Sequence, residues 1–171
     1  VDFLDLNMGC PIEVITGKGM GSALMRKTNK VNNIIKAITK RCTLPLGLKM
    51  RMGWNDHKLN AATIARKAQS MGYGLPKNSI AYVAVHGRTR QQRYTKHANW
   101  KFIRDVGVSV WDAAKAYANE NPLVDNVDTI PIIGNGDVFT YEDWERHLDI
   151  VKSNEEDEGE MPEGAPSLTT C

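Results

Sequence analysis

The sequence predicts an α/β fold, specifically part of a (β/α)8 TIM barrel with about four βα units. Three observations lead to this prediction. Short β-prone runs recur along the chain, longer segments with a helical apolar period separate them, and each run ends in side chains that could carry chemistry.

Four short runs are the predicted strands. They cover residues 1–7, 44–50, 80–86 and 130–135, with the sequences VDFLDLN, LPLGLKM, IAYVAVH and IPIIGN. Their near-continuous apolar character is typical of strands that are buried on both faces of a parallel sheet. Each gap between runs is long enough for the crossover connection that parallel neighbours require.

The segments between the runs are predicted to be helices. Two apolar stripes have helical spacing: Val31, Ile34, Ile35 and Ile38 form the first, and Ala61, Ile64, Ala65 and Ala68 form the second. The third connection is predicted as helix over residues 100–106 and 110–118, followed by a loop over residues 119–128. Thr140 and Asp143 have the spacing of a capping box, which predicts a helix that starts directly after Thr140.

The polar ends of the strands favour a barrel over a doubly wound sheet. No glycine-rich dinucleotide motif follows the first run, because the nearby glycines come too late and are wrongly spaced. In barrels, active sites are assembled from the carboxyl ends of several strands. The side chains in question are Asn7 and Cys10, Lys49 and Arg51, His86 and Arg88, and Asn135 and Asp137.

The composition limits the class of protein. Hydrophobic residues make up 42% of the chain and charged residues 25%, as in an ordinary globular domain. The longest apolar runs are strand-sized, so no membrane span or membrane partner is expected. Three widely separated cysteines, Cys10, Cys42 and Cys171, favour neither a disulfide framework nor a zinc site, so no metal is expected. Reduced cysteines are typical of an intracellular protein, in the cytoplasm or the nucleus.

Charge divides the chain into two segments. Residues 1–151 are predicted to form the partial barrel, and their excess of basic residues is compatible with a polyanionic partner. Residues 152–171 contain six acidic residues and one basic residue, and are predicted to be a disordered insertion or tail. Because four strands cannot close a barrel, we expect the chain to be an internal piece of a longer protein and to be inactive alone.

Cys10 is the first candidate for chemistry. It follows a strand end within the sequence NMGCP, where Gly9 and Pro11 restrict the turn. Most free cysteines are small buried hydrophobic residues, and that interpretation fits Cys42. A turn at the catalytic end of a strand is a poor place for a residue that only packs, so the position favours a functional role for Cys10.

Two further positions suit a cofactor that bears a phosphate group. Alternation along the second strand places Lys49 on the face opposite Leu48, and a buried lysine requires an anionic partner. The glycines of the GNGD sequence at Gly134–Asp137 permit a close backbone approach to a phosphate. A solvated lysine and an ordinary turn are the alternative interpretations.

His86 is followed by a basic segment, residues 88–97, which we call the basic loop. It interleaves cations with an aromatic residue, a composition that suits phosphate contacts and base stacking. The alternative is a solvated loop without a partner. Its cations and its aromatic residue are Arg88, Arg90, Arg93, Lys96, His97 and Tyr94.

Four motifs in this order resemble the tRNA-dihydrouridine synthase family. They are DLNMGCP, LKMR, VHGRTRQQRYTKHANW and IPIIGNGD, and the resemblance extends from Val1 to about Leu148. NMGCPIEVITGKGMGSAL and RQQRYTK are most similar to the eukaryotic tRNA-dihydrouridine(47) synthase branch. In this family the four motifs would belong to strands four to seven of the barrel.

The resemblance implies an activity and a set of residues. Members of the family reduce a tRNA uridine with FMN that NADPH has reduced, and the cysteine that matches Cys10 protonates C5. Lys49 and His86 match flavin contacts, and Asn135, Gly136 and Asp137 match the flavin-phosphate loop. The positions expected near uracil or RNA are Asn7, Arg51, Arg88, Arg90, Arg93 and Lys96.

The chain also departs from the family's pattern. The first three strands, the eighth strand with its GRG-type phosphate loop, the helical tRNA-docking domain and the zinc fingers of the eukaryotic branch have no counterpart in these residues. Two alternatives therefore stay open. The protein could be another FMN-dependent barrel oxidoreductase that acts on a small pyrimidine, or a catalytically silent relative that binds RNA.

Overall fold

The structure is a computed structural model that describes residues 1–76, 79–123, 127–152 and 168–170. Strands and helices alternate along most of this part of the chain, as the sequence predicts. In chain order they are β1 (Leu4–Met8), α1 (Glu13–Thr16), a 3-10 helix (Gly21–Arg26), α2 (Thr28–Arg41), β2 (Leu46–Arg51), β3 (Gly53–Asn55), β4 (Lys58–Leu59), α3 (Ala61–Gly72), β5 (Ile80–His86), α4 (Trp100–Glu120), β6 (Ile132–Asn135), α5 (Tyr141–Lys152) and β7 (Leu168–Thr170).

Five strands form one parallel sheet in the order β1-β2-β5-β6-β7. Apart from the separate hairpin of β3 and β4, neighbours in the sheet follow chain order without a reversal. A doubly wound sheet reverses its strand order at a switch point, whereas a barrel does not. The arrangement is consistent with a partial (β/α)8 barrel, and the predicted fold class is confirmed.

The predicted strands are present with small shifts of their ends. β5 has the predicted bounds, whereas β1 begins at Leu4 and β2 at Leu46. Pro45 explains the later start of β2, since a proline has no N–H to donate to a neighbouring strand. Its carbonyl instead accepts from the Leu4 N–H at 2.9 Å, at the point where β1 begins.

The core lies between the sheet and the helices. Leu48, Val83, Val85 and Ile132 on the strands are fully buried. The predicted helical stripes face them: Val31 and Ile35 of α2 are buried, Ile34 and Ile38 are partly buried against the same core, and all four predicted alanine and isoleucine positions of α3 are buried. The apolar stripes therefore pack against one face of the sheet and do not cover the ends of the strands, where a site can form.

The third connection differs from its prediction, because residues 100–120 form one helix rather than two stretches. Its buried stripe continues through Gly107, which joins Val106 to Val110. A glycine inside a helix costs about 1 kcal/mol, and this packing offsets that cost. The helix begins where the Asn99 side chain accepts from the Phe102 N–H at 2.9 Å.

Helix α5 begins with the predicted capping box. The Asp143 N–H donates to Thr140 Oγ1 at 3.3 Å, and the Thr140 N–H donates to Asp143 Oδ2 at 3.2 Å. These two hydrogen bonds satisfy N–H groups that the helix itself leaves without partners. Among the helices of the described ranges, none has the length and apolar character needed to cross a membrane.

Several elements were not predicted. They are α1, the 3-10 helix and the β3–β4 hairpin, all of which are short. Residues 168–170 were predicted to belong to a disordered segment, whereas they pair with β6 as the parallel strand β7. Threonine is favoured in strands, and the edge of β6 supplies the backbone partners, so the acidic composition of the preceding residues was a poor guide to these three. The prediction for residues 153–167 lies outside the described residues.

Replacing Leu48 by alanine should destabilise the protein that carries this chain by about 2–5 kcal/mol, because the side chain is fully buried in the central strand β2. Leu59→Ala is the matched control, since Leu59 is 43% exposed and should lose less than about 1 kcal/mol. Urea unfolding measures both values. Equal losses for the two variants would contradict the placement of the core.

Candidate active site

A cleft of about 740 Å³ opens at the carboxyl ends of the parallel strands. Its wall is formed by the residues that end or follow β1, β2, β5 and β6, and two of these residues, Arg88 and Tyr94, belong to the basic loop. Its lining consists of Asn7, Gly9, Cys10, Lys49, Met50, Arg51, His86, Arg88, Tyr94, Asn135, Gly136, Asp137, Val138 and Phe139.

The register of the sheet brings the predicted residues to this cleft. Asn7 pairs with Lys49, Arg51 pairs with His86, and His86 pairs with Asn135. Because all four strands run in the same direction, their carboxyl ends lie at one edge. Nine of the predicted site residues line the cleft; Arg90, Arg93 and Lys96 are outside its lining.

Asn7 holds the turn that carries Cys10. Its Oδ1 atom accepts from the Gly9 N–H at 3.0 Å and from the Cys10 N–H at 3.1 Å. The Cys10 carbonyl accepts from the Ser22 N–H at 3.0 Å. The thiol is free and partly exposed. Asn7 was predicted to lie beside uracil, and the structure uses its side-chain oxygen to position the cysteine turn.

Gly21 allows this turn to fit against its neighbour. It has φ +57°, and an added Cβ there would lie 2.8 Å from the Cys10 carbonyl oxygen. Any other residue would push the Cys10 turn away or strain the backbone. The glycines after the NMGCP sequence therefore have a local structural role that the sequence analysis did not assign.

Lys49 and Asn135 meet across the floor of the cleft. The Lys49 ammonium donates to Asn135 Oδ1, although β5 separates their two strands. Lys49 is partly buried, as its predicted place on the inner face requires. The pair joins a predicted flavin contact to the predicted phosphate loop, so the two predictions describe one site.

His86 is neutral at physiological pH in this environment. Burial and, after it, the positive charges of Arg51, Lys49 and Arg88 together lower the pKa of its imidazole from 6.5 to about 4. Its Nε2 atom lies 3.1 Å from Arg88 Nη1. Because a guanidinium only donates, Nε2 must accept and the proton is on Nδ1.

Arg88 and Asp137 form a clamp between β5 and β6. The Arg88 guanidinium forms an ion pair with the Asp137 carboxylate and also donates to the Lys96 carbonyl. The carboxylate accepts from the Ala98 N–H at 2.6 Å as well. Burial alone would raise the pKa of Asp137, but the Ala98 N–H and Arg88 together hold it below its usual range. Both residues thus shape the cleft and leave fewer atoms for a ligand than was predicted.

The loop of Gly136 and Asp137 is supported from beneath by two stacked rings. The Trp100 and His147 rings stack with their centroids 4.2 Å apart. Trp100 Nε1–H donates to the Gly136 carbonyl at 3.0 Å, and His147 Nε2 lies 3.3 Å from the Asp137 carbonyl. Gly136 has φ +119°, a conformation that favours glycine. This support fixes the loop that was predicted to hold a phosphate.

Arg51 is almost fully buried at the end of β2, with 3% exposure. Its guanidinium donates to the carbonyls of Gly9, Thr89 and Arg93 at 2.9, 3.0 and 3.3 Å. Burial lowers the pKa of Arg51 below its ordinary value. Arg51 was predicted to contact RNA, and its hydrogen bonds go to the backbone instead.

The outer part of the basic loop is exposed. Arg93 and Lys96 face solvent, and Lys96 forms an ion pair with Asp56 at 2.9 Å. Arg90 is more buried, with its guanidinium 4.8 Å from the centre of the Trp54 ring. These three predicted RNA contacts therefore form a surface beside the cleft.

Five residues of the cleft lining and one supporting residue were not among the predicted site residues. The five are Gly9, Met50, Tyr94, Val138 and Phe139. The centre of the Tyr94 ring lies 5.9 Å from the guanidinium carbon of Arg51 and 6.0 Å from that of Arg88. The sequence signal for Tyr94 was its place among the arginines. Nothing in the pattern around Val138 and Phe139 distinguishes them from ordinary apolar residues. His147 lies too far along the chain from the motifs for spacing to connect it with them.

No group of three or more histidine, cysteine or acidic side chains suited to hold a metal ion occurs within the described ranges. The cleft instead combines one thiol, one neutral imidazole and three cationic side chains with a single carboxylate. Its excess of positive charge favours an anionic ligand.

Comparison with protein families identifies one match. The family model described as dihydrouridine synthase (Dus) matches residues 1–155. The matched range includes every strand end that lines the cleft and the whole basic loop.

Similar proteins occur in eukaryotes and bacteria. The tRNA-dihydrouridine(47) synthase [NAD(P)(+)] of Meyerozyma guilliermondii is 37% identical over 147 residues, which cover 84% of this chain and 23% of that protein. The protein of the same description from Debaryomyces hansenii is 36% identical over 151 residues, covering 88% of this chain and 23% of that protein. A probable tRNA-dihydrouridine synthase of Rhodobacter capsulatus is 33% identical over 165 residues, covering 96% of this chain and 43% of that protein. The chain thus spans about a quarter of the length of the two fungal relatives.

The lowered pKa of His86 predicts a pH dependence of stability. Between pH 6.5 and about 4 the unfolded chain binds this proton and the folded protein does not, so the free energy of unfolding should decrease as the pH is lowered through that window. The slope from this group should not exceed about 1.4 kcal/mol per pH unit, because one imidazole takes up at most one proton on unfolding. His86→Gln should remove this slope. Urea unfolding at several pH values compares the variants, and parallel pH profiles would contradict a neutral His86.

Proposed function

Because this chain belongs to the dihydrouridine synthase family, we propose that the protein carrying it reduces a uridine of tRNA to 5,6-dihydrouridine. The proposal includes FMN as the bound cofactor, NADPH as the reductant and Cys10 as the proton donor. One observation carries it: a free thiol shares a positively charged cleft with a neutral imidazole and with the loop of Gly136 and Asp137. A tRNA substrate agrees with a cytoplasmic or nuclear protein.

The residues of the cleft fit a flavin mononucleotide. Its volume of about 740 Å³ lies within the range of small-molecule and cofactor sites, about 300–1,000 Å³. Lys49, Arg51 and Arg88 supply positive charge, against the single carboxylate of Asp137. An added Cβ at Gly136 would lie 2.9 Å from the His86 ring, so this glycine keeps the space beside the imidazole open. We assign Lys49, His86 and the Asn135–Gly136–Asp137 loop as the residues that hold the cofactor.

When bound, reduced FMN supplies a hydride for C6 of the uracil. Cys10 supplies the other hydrogen: the S–H bond breaks, a C5–H bond forms, and the thiolate regains a proton from solvent. Asn7 and Ser22 fix the backbone of the Cys10 turn, so the thiol is presented from a rigid turn rather than from a mobile loop. Proton transfer by a positioned group depends on such a fixed geometry.

The charge around the thiol suits this role. Lys49 and Arg88 contribute positive charge to the cleft and stabilise anionic groups there. Neutral His86 adds no further positive charge at pH 7, and it can accept a hydrogen bond through Nε2. The three cations therefore give the cleft enough positive charge to favour an anionic ligand, and His86 does not add a fourth.

We assign the exposed part of the basic loop to tRNA. Arg93 and Lys96 face solvent beside the cleft, and Tyr94 is 76% exposed at its mouth. Cations bind phosphates without reading sequence, and an exposed ring provides a surface for base stacking. The position of this surface favours an RNA substrate over a free pyrimidine, which would not need it.

Cys10→Ala should lower dihydrouridine formation by about 10²-fold or more, as expected for a lost general acid. Reduction of the flavin by NADPH should be nearly unchanged, because that step requires no proton at C5. Cys42→Ala is the control, since Cys42 follows α2 and is outside the cleft lining. Nucleoside mass spectrometry measures the product, and full activity of Cys10→Ala would reject this role.

A second set of variants should distinguish the residues that bind flavin from those that bind tRNA. Lys49→Met should purify without yellow colour, because it removes a cation that we assign to the cofactor. Arg93→Ala and Lys96→Ala should keep the flavin and bind tRNA more weakly, with a reduced salt dependence of binding. Lys101→Ala, an exposed change on α4, should affect neither. Colourless Arg93→Ala protein, or unchanged tRNA binding in both loop variants, would contradict the assignment.

A further inference from the structure

The guanidinium of Arg51 joins two segments of the cleft that are distant in sequence. Its Nε–H donates to the carbonyl of Gly9, the residue directly before Cys10. Its Nη1 donates to the carbonyls of Thr89 and Arg93, at the two ends of one turn in the basic loop. The same side chain thus contacts the backbone of the cysteine turn and that of the predicted RNA-binding loop.

The burial of Arg51 makes these hydrogen bonds necessary. A guanidinium that is 3% exposed loses nearly all of its hydration, and this loss is tolerated only when its N–H groups find acceptors. Three backbone carbonyls supply them. If either segment moved away, a buried charge would lose part of its compensation, so the positions of the two segments depend on each other.

The outer segment is the one that can be displaced. Arg93 is exposed and has φ +49°, a left-handed conformation that is unfavourable for a residue with a side chain. The hydrogen bond from Arg51 to its carbonyl helps to hold this conformation. The cysteine turn has further supports from Asn7 and Ser22, so its backbone should respond by a change in mobility rather than by unfolding.

We propose that Arg51 is a positioning residue that couples the basic loop to the Cys10 turn. The position of the loop then determines how well ordered and how accessible the Cys10 thiol is. The proposal rests on the proposed function in one respect, namely that the loop contacts tRNA. It differs from the prediction that Arg51 contacts RNA directly. A substrate that holds the loop in place would thereby also order the proton donor.

Lysine cannot take over this role. The guanidinium donates from Nε and Nη1 in two directions of one rigid plane, whereas an ammonium is a single point at the end of a flexible chain. Arg51→Lys therefore keeps the positive charge beside the cleft and loses the bridge. This variant separates geometry from electrostatics.

Alkylation of Cys10 by iodoacetamide tests the coupling without RNA or cofactor turnover. In the protein that carries this chain, Arg51→Lys should raise the alkylation rate of Cys10 about tenfold, the size expected for one or two lost hydrogen bonds to a charged group. Peptide mass spectrometry should find the rate at Cys42 unchanged, because Cys42 is distant from the bridge. Arg104→Lys, a partly buried arginine on α4, is the matched control and should leave both rates unchanged.

Arg93→Pro disrupts the same hydrogen bonds by changing the basic loop, which accepts them, rather than Arg51, which donates them. Proline fixes φ near −65° and cannot adopt the +49° of Arg93, so the loop must leave its place beside Arg51. The alkylation rate of Cys10 should rise although the substituted side chain is exposed and lies in another loop. This second variant carries the test if Arg51→Lys does not fold.

Both variants must affect Cys10 and not Cys42. An unchanged Cys10 rate in either folded variant overturns the proposal, and so does a parallel rise at Cys42, which would indicate general loosening. In the tRNA assay Arg51→Lys should lower kcat about tenfold and leave flavin reduction nearly unchanged. A fall in tRNA affinity with unchanged kcat would instead indicate a direct RNA contact. If the wild-type protein forms no dihydrouridine, the proposed function fails while the alkylation result still decides the coupling.

Discussion

Parallel strand pairing forces four strand ends to the same edge of the sheet, and the cleft depends on this constraint. Asn7, Lys49, His86 and Asn135 lie far apart in sequence, yet each ends or nearly ends a strand whose neighbour is in register with it. The helices cover the sheet and supply the buried stripes that hold the strands in this order. The apolar core therefore determines the position of polar groups that contribute little to it, which is the usual division of roles in a barrel.

Side chains that were expected to contact ligands also hold the cleft together. Arg51 joins two loops through carbonyls, and Arg88 joins β5 to the loop after β6 through Asp137. Each of these buried charges needs its partners, so the walls of the cleft are fixed by the same groups that give it positive charge. His86 stays neutral because those charges and its burial disfavour a further proton. A site constructed in this way has an excess of positive charge, and the cations that supply the charge also connect its walls.

Sequence patterns predicted the elements whose signals repeat along the chain. The strands β2 and β5 are continuous apolar runs and the stripes of α2 and α3 have helical spacing, so these elements could be predicted from the pattern of apolar residues along the chain. The short 3-10 helix and the β3–β4 hairpin have no such period, since loop contacts rather than burial of a face define them. Strand β7 depends on pairing with β6, and such long-range pairing leaves no local signal. The motifs predicted which residues lie together at the site. They did not predict that Asn7 and Arg51 hydrogen-bond to the backbone of neighbouring loops, because residue types alone do not show which backbone groups a side chain will contact.

The central claim is that the cleft at the carboxyl ends of β1, β2, β5 and β6 is a flavin site that includes the Cys10 thiol. A crystal structure of the protein that carries this chain, determined with bound FMN, tests it most directly. The account predicts FMN in contact with Lys49 and Asn135, with Cys10 on the wall of the same cleft. FMN bound elsewhere on the protein, without contact to Lys49 or Asn135, would contradict the assignment of this cleft as the flavin site.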